Sequence, residues 1–281
     1  MKKILVLGSS GMLGHVVTKY FEEKGYEVYN LSHRVRLNER TRVMDVTNFR
    51  EFDQYLDSLS VDAVINCIGI LNEDAERHPD KAILLNSYLP RFLEKKYLDT
   101  AVKIIQISTD CVFSGKDGGY KEDSFRDGDT IYARTKALGE INNNKDLTIR
   151  TSIIGPDINE DGIGLFHWFM KQSGTVYGFK NAYWTGVTTI ELAKGVEKFI
   201  EHNVTGIYHF VPTEKISKFD LLSTINDVFA RNITILTRED YKVDKSLINT
   251  RSDLDYKIPS YKEMIEEMKE WIDCHSELYR Y

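Results

Sequence analysis

Lys3-Ile-Leu-Val-Leu-Gly-Ser-Ser-Gly-Met-Leu-Gly14 runs from a short apolar segment straight into glycines at positions 8, 11 and 14. An apolar run of this length reads as a buried strand, and the turn that follows opens a helix from Met12 to about Lys24. A Gly-x-x-Gly-x-x-Gly turn at that junction leaves bare backbone N–H groups at a helix N-terminus, where a pyrophosphate can sit. A Cβ would block the tight turn, the approach of the phosphate, or the packing of helix on strand. Gly8, Ser10, Gly11, Met12, Leu13 and Gly14 are therefore candidate cofactor-binding residues.

The same alternation continues outward from this turn. Strand-like segments recur at Glu27–Leu31, Arg42–Met44, Ala63–Cys67, Lys103–Ile107 and Thr148–Arg150. Helical segments lie between them at Phe49–Ser58, at Tyr132–Ile141, and from Asp80, read as the cap after Pro79, to about Lys96. In that last helix Ile83, Leu84, Leu89, Phe92 and Leu93 keep a helical period. Strands alternating with helices predict an α/β fold with a doubly wound parallel sheet. After Gly155-Pro156 the pattern loosens, then resumes with a short helix at Leu165–Lys171, a strand at Gly206–Val211, and helices at Lys218–Phe229 and Tyr261–Cys274. We expect a nucleotide-binding domain over 1–155 and a smaller α/β substrate-binding part over 156–281, with about 186–201 packing back on the first domain.

Composition narrows the function classes. A net charge of −6 without a basic block gives no field for nucleic acid. Nowhere do ~18 apolar residues occur together, so no membrane span is expected. The three cysteines, Cys67, Cys111 and Cys274, are widely spaced and form no metal-ligand pattern, which predicts reduced thiols in the cytoplasm and no metal site.

Tyr132 and Lys136 stand one helical turn apart on one face. An ammonium there favours the phenolate, making the phenol a better proton donor to a carbonyl receiving hydride. Tyr20/Lys24 and Tyr241/Lys245 share the spacing, but only Tyr132 follows a strand ending in Ser108-Thr109-Asp110, where ligands bind in open α/β sheets. The second strand carries no acid at its tip, and Arg34 stands just beyond it. A planar guanidinium suits a 2′-phosphate, so NADPH is expected over NADH.

Taken in order, Gly8/Gly11/Gly14, Asn66-Cys-Ile-Gly69, Ser108-Thr-Asp-Cys-Val-Phe-Ser-Gly115, Tyr132/Lys136, Gly139-Glu140 and Arg150-Thr-Ser resemble the extended short-chain dehydrogenase/reductases, nearest the dTDP-4-dehydrorhamnose reductase family. The resemblance covers the first ~155 residues and continues weakly to Glu191-Leu-Ala193. It implies a Rossmann-type domain and NAD(P)H-dependent reduction of a nucleotide-linked 4-keto-6-deoxysugar, in precursor synthesis for surface polysaccharide. It further implies that Thr109 and Tyr132 hold and protonate the ketone, Lys136 binds the nicotinamide ribose, Asp45-Val46 lies beside the adenine, and Cys67, Ile68 and Gly69 line the cofactor cleft. A homodimer is compatible with it.

Several positions depart from the family pattern, among them Cys111 where Tyr is common and Ile153 where Trp is common. Cys111, Val112, Phe113, His167 and Trp184 are the candidate substrate residues, and the aromatics around Phe166–Phe169, Tyr177, Phe179, Tyr183 and Trp184 are read either as core or as a stacking surface for a nucleobase. In a related epimerase-reductase a Cys at this loop position works with a His, so Cys111 with His167 could remove a proton beside the ketone. The expectation is simple reduction without that step. Two other readings stand beside it: a non-catalytic NADP-binding regulator similar to the methionine adenosyltransferase β-subunit, and a nucleotide-sugar epimerase.

Overall fold

Along β1 (Lys3–Leu7) the side chains of Ile4 and Val6 enter one hydrophobic core and those of Leu5 and Leu7 another. Period-two geometry requires this of a strand buried on both faces, and it explains why the run is uniformly apolar. The computed structural model describes residues 1–281. β1 is followed by α1 (Met12–Glu23), β2 (Glu27–Ser32), β3 (Thr41–Val43), α2 (Phe49–Asp57), β4 (Ala63–Asn66) and α3 (Asn72–Arg77). Then come α4 (Pro79–Ala82), a π-helical turn at Ile83–Tyr88, α5 (Leu89–Lys96), β5 (Lys103–Ile107), α6 (Ile131–Leu138) and β6 (Leu147–Arg150).

The later part of the chain holds β7 (Ser152–Ile154), α7 (Leu165–Met170), β8 (Thr175–Phe179), β9 (Ala182–Trp184), β10 (Gly186–Thr188) and α8 (Thr189–Glu201). It ends with β11 (Gly206–His209), β12 (Ile216–Ser217), α9 (Lys218–Val228), β13 (Thr234–Arg238), β14 (Val243–Asp244) and α10 (Tyr261–Cys274). Seven strands form one parallel sheet in the order β11-β6-β5-β4-β1-β2-β3. The chain winds outward from β1 to β3 and resumes on the other side of β1 at β4. That reversal opens a crevice at the carboxyl ends of β1 and β4, where ligands of such sheets bind.

Residues from beyond 155 enter this sheet and its core. β11 pairs with β6, α8 packs on α1, and Tyr20 donates to Glu197 at 2.5 Å. The larger core has 39 buried residues running from Ile4 to Tyr279 and the second has 13, beneath α2 and α5. Three short sheets, β7 with β10, β8 with β13, and β9 between β12 and β14, complete the strand content.

The segment read as one helix from Asp80 differs in two respects. Its N-cap is His78 with Pro79 in the first turn, so Asp80 lies inside the helix and is not its cap. The π turn also widens the spiral and breaks the helical period. Ile83 is 53% exposed and Leu84 36%, while Asn86 and Ser87 turn inward. A π turn inside a helix often marks a functional site, and this one faces α6.

Candidate active site

At the end of β1 the glycine turn is tight enough to forbid side chains. Gly8 has φ +83°, and a Cβ on Gly14 would fall 2.0 Å from the Gly8 carbonyl oxygen. Gly11 caps α1 without a side-chain hydrogen bond, and no acidic residue stands in the first turn. The first-turn N–H groups of Met12 and Leu13 thus point out uncapped beside a cavity of about 440 Å³, which those two residues and Gly11 help to line. This arrangement fits the diphosphate of a dinucleotide.

Across the cavity stand Cys67, Ile68 and Gly69 after β4, Thr109 and Cys111 after β5, and Tyr132 and Lys136 on α6. Thr109 is held by two hydrogen bonds, accepting from the Cys111 N–H at 3.1 Å and donating to the Asp110 carboxylate at 3.0 Å. Burial pushes the Tyr132 phenol well above its usual range, and the Thr109 hydroxyl pulls it down through a hydrogen bond. The sequence spacing assigned that second effect to Lys136. Instead Lys136 donates to the Ile107 carbonyl at 2.6 Å, and burial lowers its ammonium to about 8. Cys67 is pushed up to about 12 and Cys111 to about 11, both by burial, so both are thiols.

A second cavity of about 490 Å³ shares Asp110, Cys111, Ser152, Leu165 and Lys218 with the first. Those shared residues form a neck between the two. Trp168, Tyr177, Phe179, Tyr183, Trp184 and Tyr241 wall the second cavity beyond it. Phe166 and Phe169, one turn of the same aromatic stretch, are fully buried in the larger core. The stretch therefore splits, part core and part pocket wall.

Other sequence candidates lie elsewhere. Val112 and Phe113 are not pocket residues: both are buried with Tyr120, Val211 and Leu247, and Phe113 stacks on Tyr120 at 4.3 Å. His167 is no partner for Cys111, because its Nδ1 meets the Tyr281 hydroxyl at 2.7 Å and its Nε2 the Glu160 carbonyl at 3.0 Å. The cations beside Cys111 are Lys245 and, across the neck, Lys218. Arg34 is exposed after β2 without a hydrogen bond or ion pair, Asp45 accepts from the Thr47 N–H at 2.9 Å, and Val46 is buried. None of these three lines the 440 Å³ cavity, nor do Gly8, Ser10 and Gly14, which shape the turn behind it.

Sequence reasoning passed over the residues that hold the site together. Asn86, on the π turn, clamps the Ile70 N–H and carbonyl at 2.9 Å each and donates to Thr135 on α6 at 3.1 Å. Glu140, fully buried at the end of α6, takes two bonds from Arg150 at 2.7 and 2.8 Å and one from Ser108 at 2.8 Å. Those hydrogen bonds keep its carboxyl below the usual range against the push of burial. Glu140 and Arg150 stood in the quoted motifs, but only the fold shows that they brace the strand end carrying Thr109.

Residues 1–244 match the RmlD substrate binding domain family. The chain belongs to that family. Among curated relatives, the spore coat polysaccharide biosynthesis protein SpsK of Bacillus subtilis is 27% identical over 252 residues, covering 86% of this chain and 85% of that protein. The methionine adenosyltransferase 2 subunit beta of Xenopus tropicalis is 23% identical over 242 residues, 81% of this chain and 72% of that protein. Among solved structures, dTDP-4-dehydrorhamnose reductase from Bacillus anthracis in complex with NADP superposes with a TM-score of 0.82 at 21% identity, covering 96% of this chain and 99% of that one. This RmlD-family chain thus has the reductase fold over nearly its whole length.

Proposed function

We propose that the chain uses NADPH to reduce the 4-keto group of a nucleotide-linked 4-keto-6-deoxysugar, supplying a precursor for surface polysaccharide. The observation that carries this reading is the convergence of Thr109, Tyr132 and Lys136 on a cavity that meets the glycine turn at one end and the aromatic cavity at the other. The bound nicotinamide supplies the hydride. Met12 and Leu13 offer their N–H groups to its diphosphate, and Lys136 offers its ammonium to the ribose hydroxyls. Tyr132, kept protonated by burial, gives its proton to the carbonyl oxygen as hydride reaches carbon. The single hydroxyl proton of Thr109, which rests on the Asp110 carboxylate, would turn to that same oxygen when the ketone is bound. The likeness to a reductase bound to NADP and to a protein of polysaccharide biosynthesis supports the assignment. No helix is long and apolar enough to cross a membrane and no cysteine is paired, which agrees with a place in the cytoplasm.

The test is a turnover screen of dTDP-, UDP- and GDP-linked 4-keto-6-deoxysugars with NADPH and NADH, followed by loss of reduced-nicotinamide absorbance. Reduction of at least one supports the reading. Cofactor that co-purifies and is neither consumed nor released would mark an epimerase. NADPH binding without any turnover would leave a non-catalytic NADP-binding subunit; the Xenopus relative's name is that of a subunit.

A further inference from the structure

Residues 157–164 join β7 to α7 without helix or strand, and Asp157, Ile163 and Gly164 from this segment line the 440 Å³ cavity. The segment stands against the glycine turn. The Asn159 side-chain amide donates to the Ser10 carbonyl at 3.0 Å, and a Cβ on Gly164 would fall 3.0 Å from the Met12 sulfur. Asp157 turns its carboxylate into the segment, accepting from the Asn159 backbone N–H at 2.9 Å and from the side-chain amide at 2.8 Å. Those two bonds aim the amide at the turn.

Tyr281 holds the segment from behind. Its hydroxyl accepts from the Asp157 backbone N–H at 2.8 Å and meets His167 Nδ1 at 2.7 Å. His167 Nε2 lies 3.0 Å from the Glu160 carbonyl, which can only accept, so in the neutral ring Nε2 carries the proton and Nδ1 receives that of Tyr281. One phenol thus ties the start of the segment to α7, and the same histidine ties its middle. Lys171 also donates to the Glu160 carbonyl, and Arg280 pairs with the Glu160 carboxylate. The Tyr281 ring stands edge-on to the buried Phe166 at 5.3 Å, which fixes where the hydroxyl points. Arg280 and Tyr281 lie beyond residue 244, where the family match ends.

We infer that Tyr281 is a positioning residue for the cofactor: it holds residues 157–164 against the glycine turn, keeps the diphosphate end of the cavity walled, and so slows the release of NADPH. The inference rests on the dinucleotide reading of that cavity and is independent of which sugar is reduced. Swinging the segment away requires the Asn159 bond to Ser10 to part, and the bonds of Tyr281 and His167 oppose that motion. A segment that loses them opens more often.

Stopped-flow release tests it. Protein loaded with NADPH is mixed with excess NADP⁺, and the decay of bound-nicotinamide fluorescence gives the off-rate. Tyr281→Phe removes the hydroxyl and keeps the ring, so the off-rate should rise on the order of tenfold, the effect of losing two modest hydrogen bonds. Asn159→Ala should raise it as well. Tyr256→Phe is the comparison for a merely structural hydroxyl, because Tyr256 donates to Glu191 on α8 at 2.8 Å and touches neither the segment nor the cavity. It should lower Tm and leave the off-rate unchanged. An off-rate unaltered in Tyr281→Phe, or raised equally in Tyr256→Phe, would overturn the inference and leave the cofactor reading standing. Failure of the unaltered protein to bind NADPH would sink that reading and this inference with it.

Discussion

Burial sets the protonation states around Tyr132. Its phenol is raised and Cys111 is raised to about 11, so both are neutral near pH 7, while Lys136, lowered to about 8, still carries its proton there. A buried neutral phenol is a proton donor at neutral pH, which predicts a specific loss in Tyr132→Phe. Removing a positioned general acid costs ~10²–10⁴ in rate, so kcat should fall by that factor while the Kd for NADPH stays within a few-fold. Near wild-type kcat in that variant would remove Tyr132 from the reaction. Arg34 tests cofactor choice in the same way. Exposed and free of partners, it can close on a 2′-phosphate, and a charge-assisted hydrogen bond is worth ~1.5–3 kcal/mol. Arg34→Ala is expected to lower kcat/KM with NADPH about tenfold or more and to leave NADH unchanged. An equal fall with both cofactors would mean that Arg34 does not read the phosphate.

At the scale of elements, the glycine turn lets folding and binding be separated. A Cβ on Gly14 meets the Gly8 backbone at 2.0 Å and cannot be accommodated without moving α1 off β1, whereas one on Gly11 meets only the Gly8 oxygen, at 3.4 Å, and Gly11 has an ordinary φ of −86°. Gly14→Ala should therefore lower Tm by several degrees along with cofactor affinity, while Gly11→Ala keeps Tm and loses affinity alone, measured by thermal melting and NADPH titration. Equal Tm values for the two variants would contradict this packing.

The glycine turn is also where the sequence was most legible. β1, β5 and α10 fall where the pattern places them, because an unbroken apolar run and a sharp cap are local signals. Asn86 was invisible, since the π turn that directs it inward arises from packing on α6, and Ile83 and Leu84 followed a helical period that this turn interrupts. Lys218 and Lys245 lie more than a hundred residues from Cys111 in the chain and acquire their place only when α9 and the end of β14 close over the crevice. The aromatic stretch was readable as apolar, but which rings become core and which become pocket wall is decided by the face of α7 that meets the larger core.

For the whole molecule, two buried histidines join parts of the chain that are far apart in sequence. His15 on α1 meets the Tyr279 hydroxyl with Nε2 at 2.8 Å and the Gly11 carbonyl with Nδ1 at 2.9 Å. His209 on β11 meets Arg150 at 3.1 Å and the Ile248 carbonyl at 3.0 Å. Burial lowers each from 6.5 to about 4. Below pH 6.5 the unfolded chain takes up protons at these positions that the folded chain refuses, so stability is complete above that value and falls as pH drops toward 4. Each histidine then removes roughly 1.4 kcal/mol per pH unit within the window. The carboxylates that folding holds low, such as Glu140, begin to count only below their own unfolded value near 4.5. Burial raises Asp110, Glu191 and Glu22, whose proton uptake in the folded state offsets part of the histidine loss in this window, so the histidine share is read from a variant. Urea midpoints followed by tryptophan fluorescence should depend less steeply on acid between pH 6.5 and 4.5 in His15→Gln, which keeps a hydrogen-bonding side chain without a titrating ring, than in the wild type. A slope unchanged in His15→Gln would mean that the closure of α1 onto the C-terminal tail does not depend on a neutral imidazole.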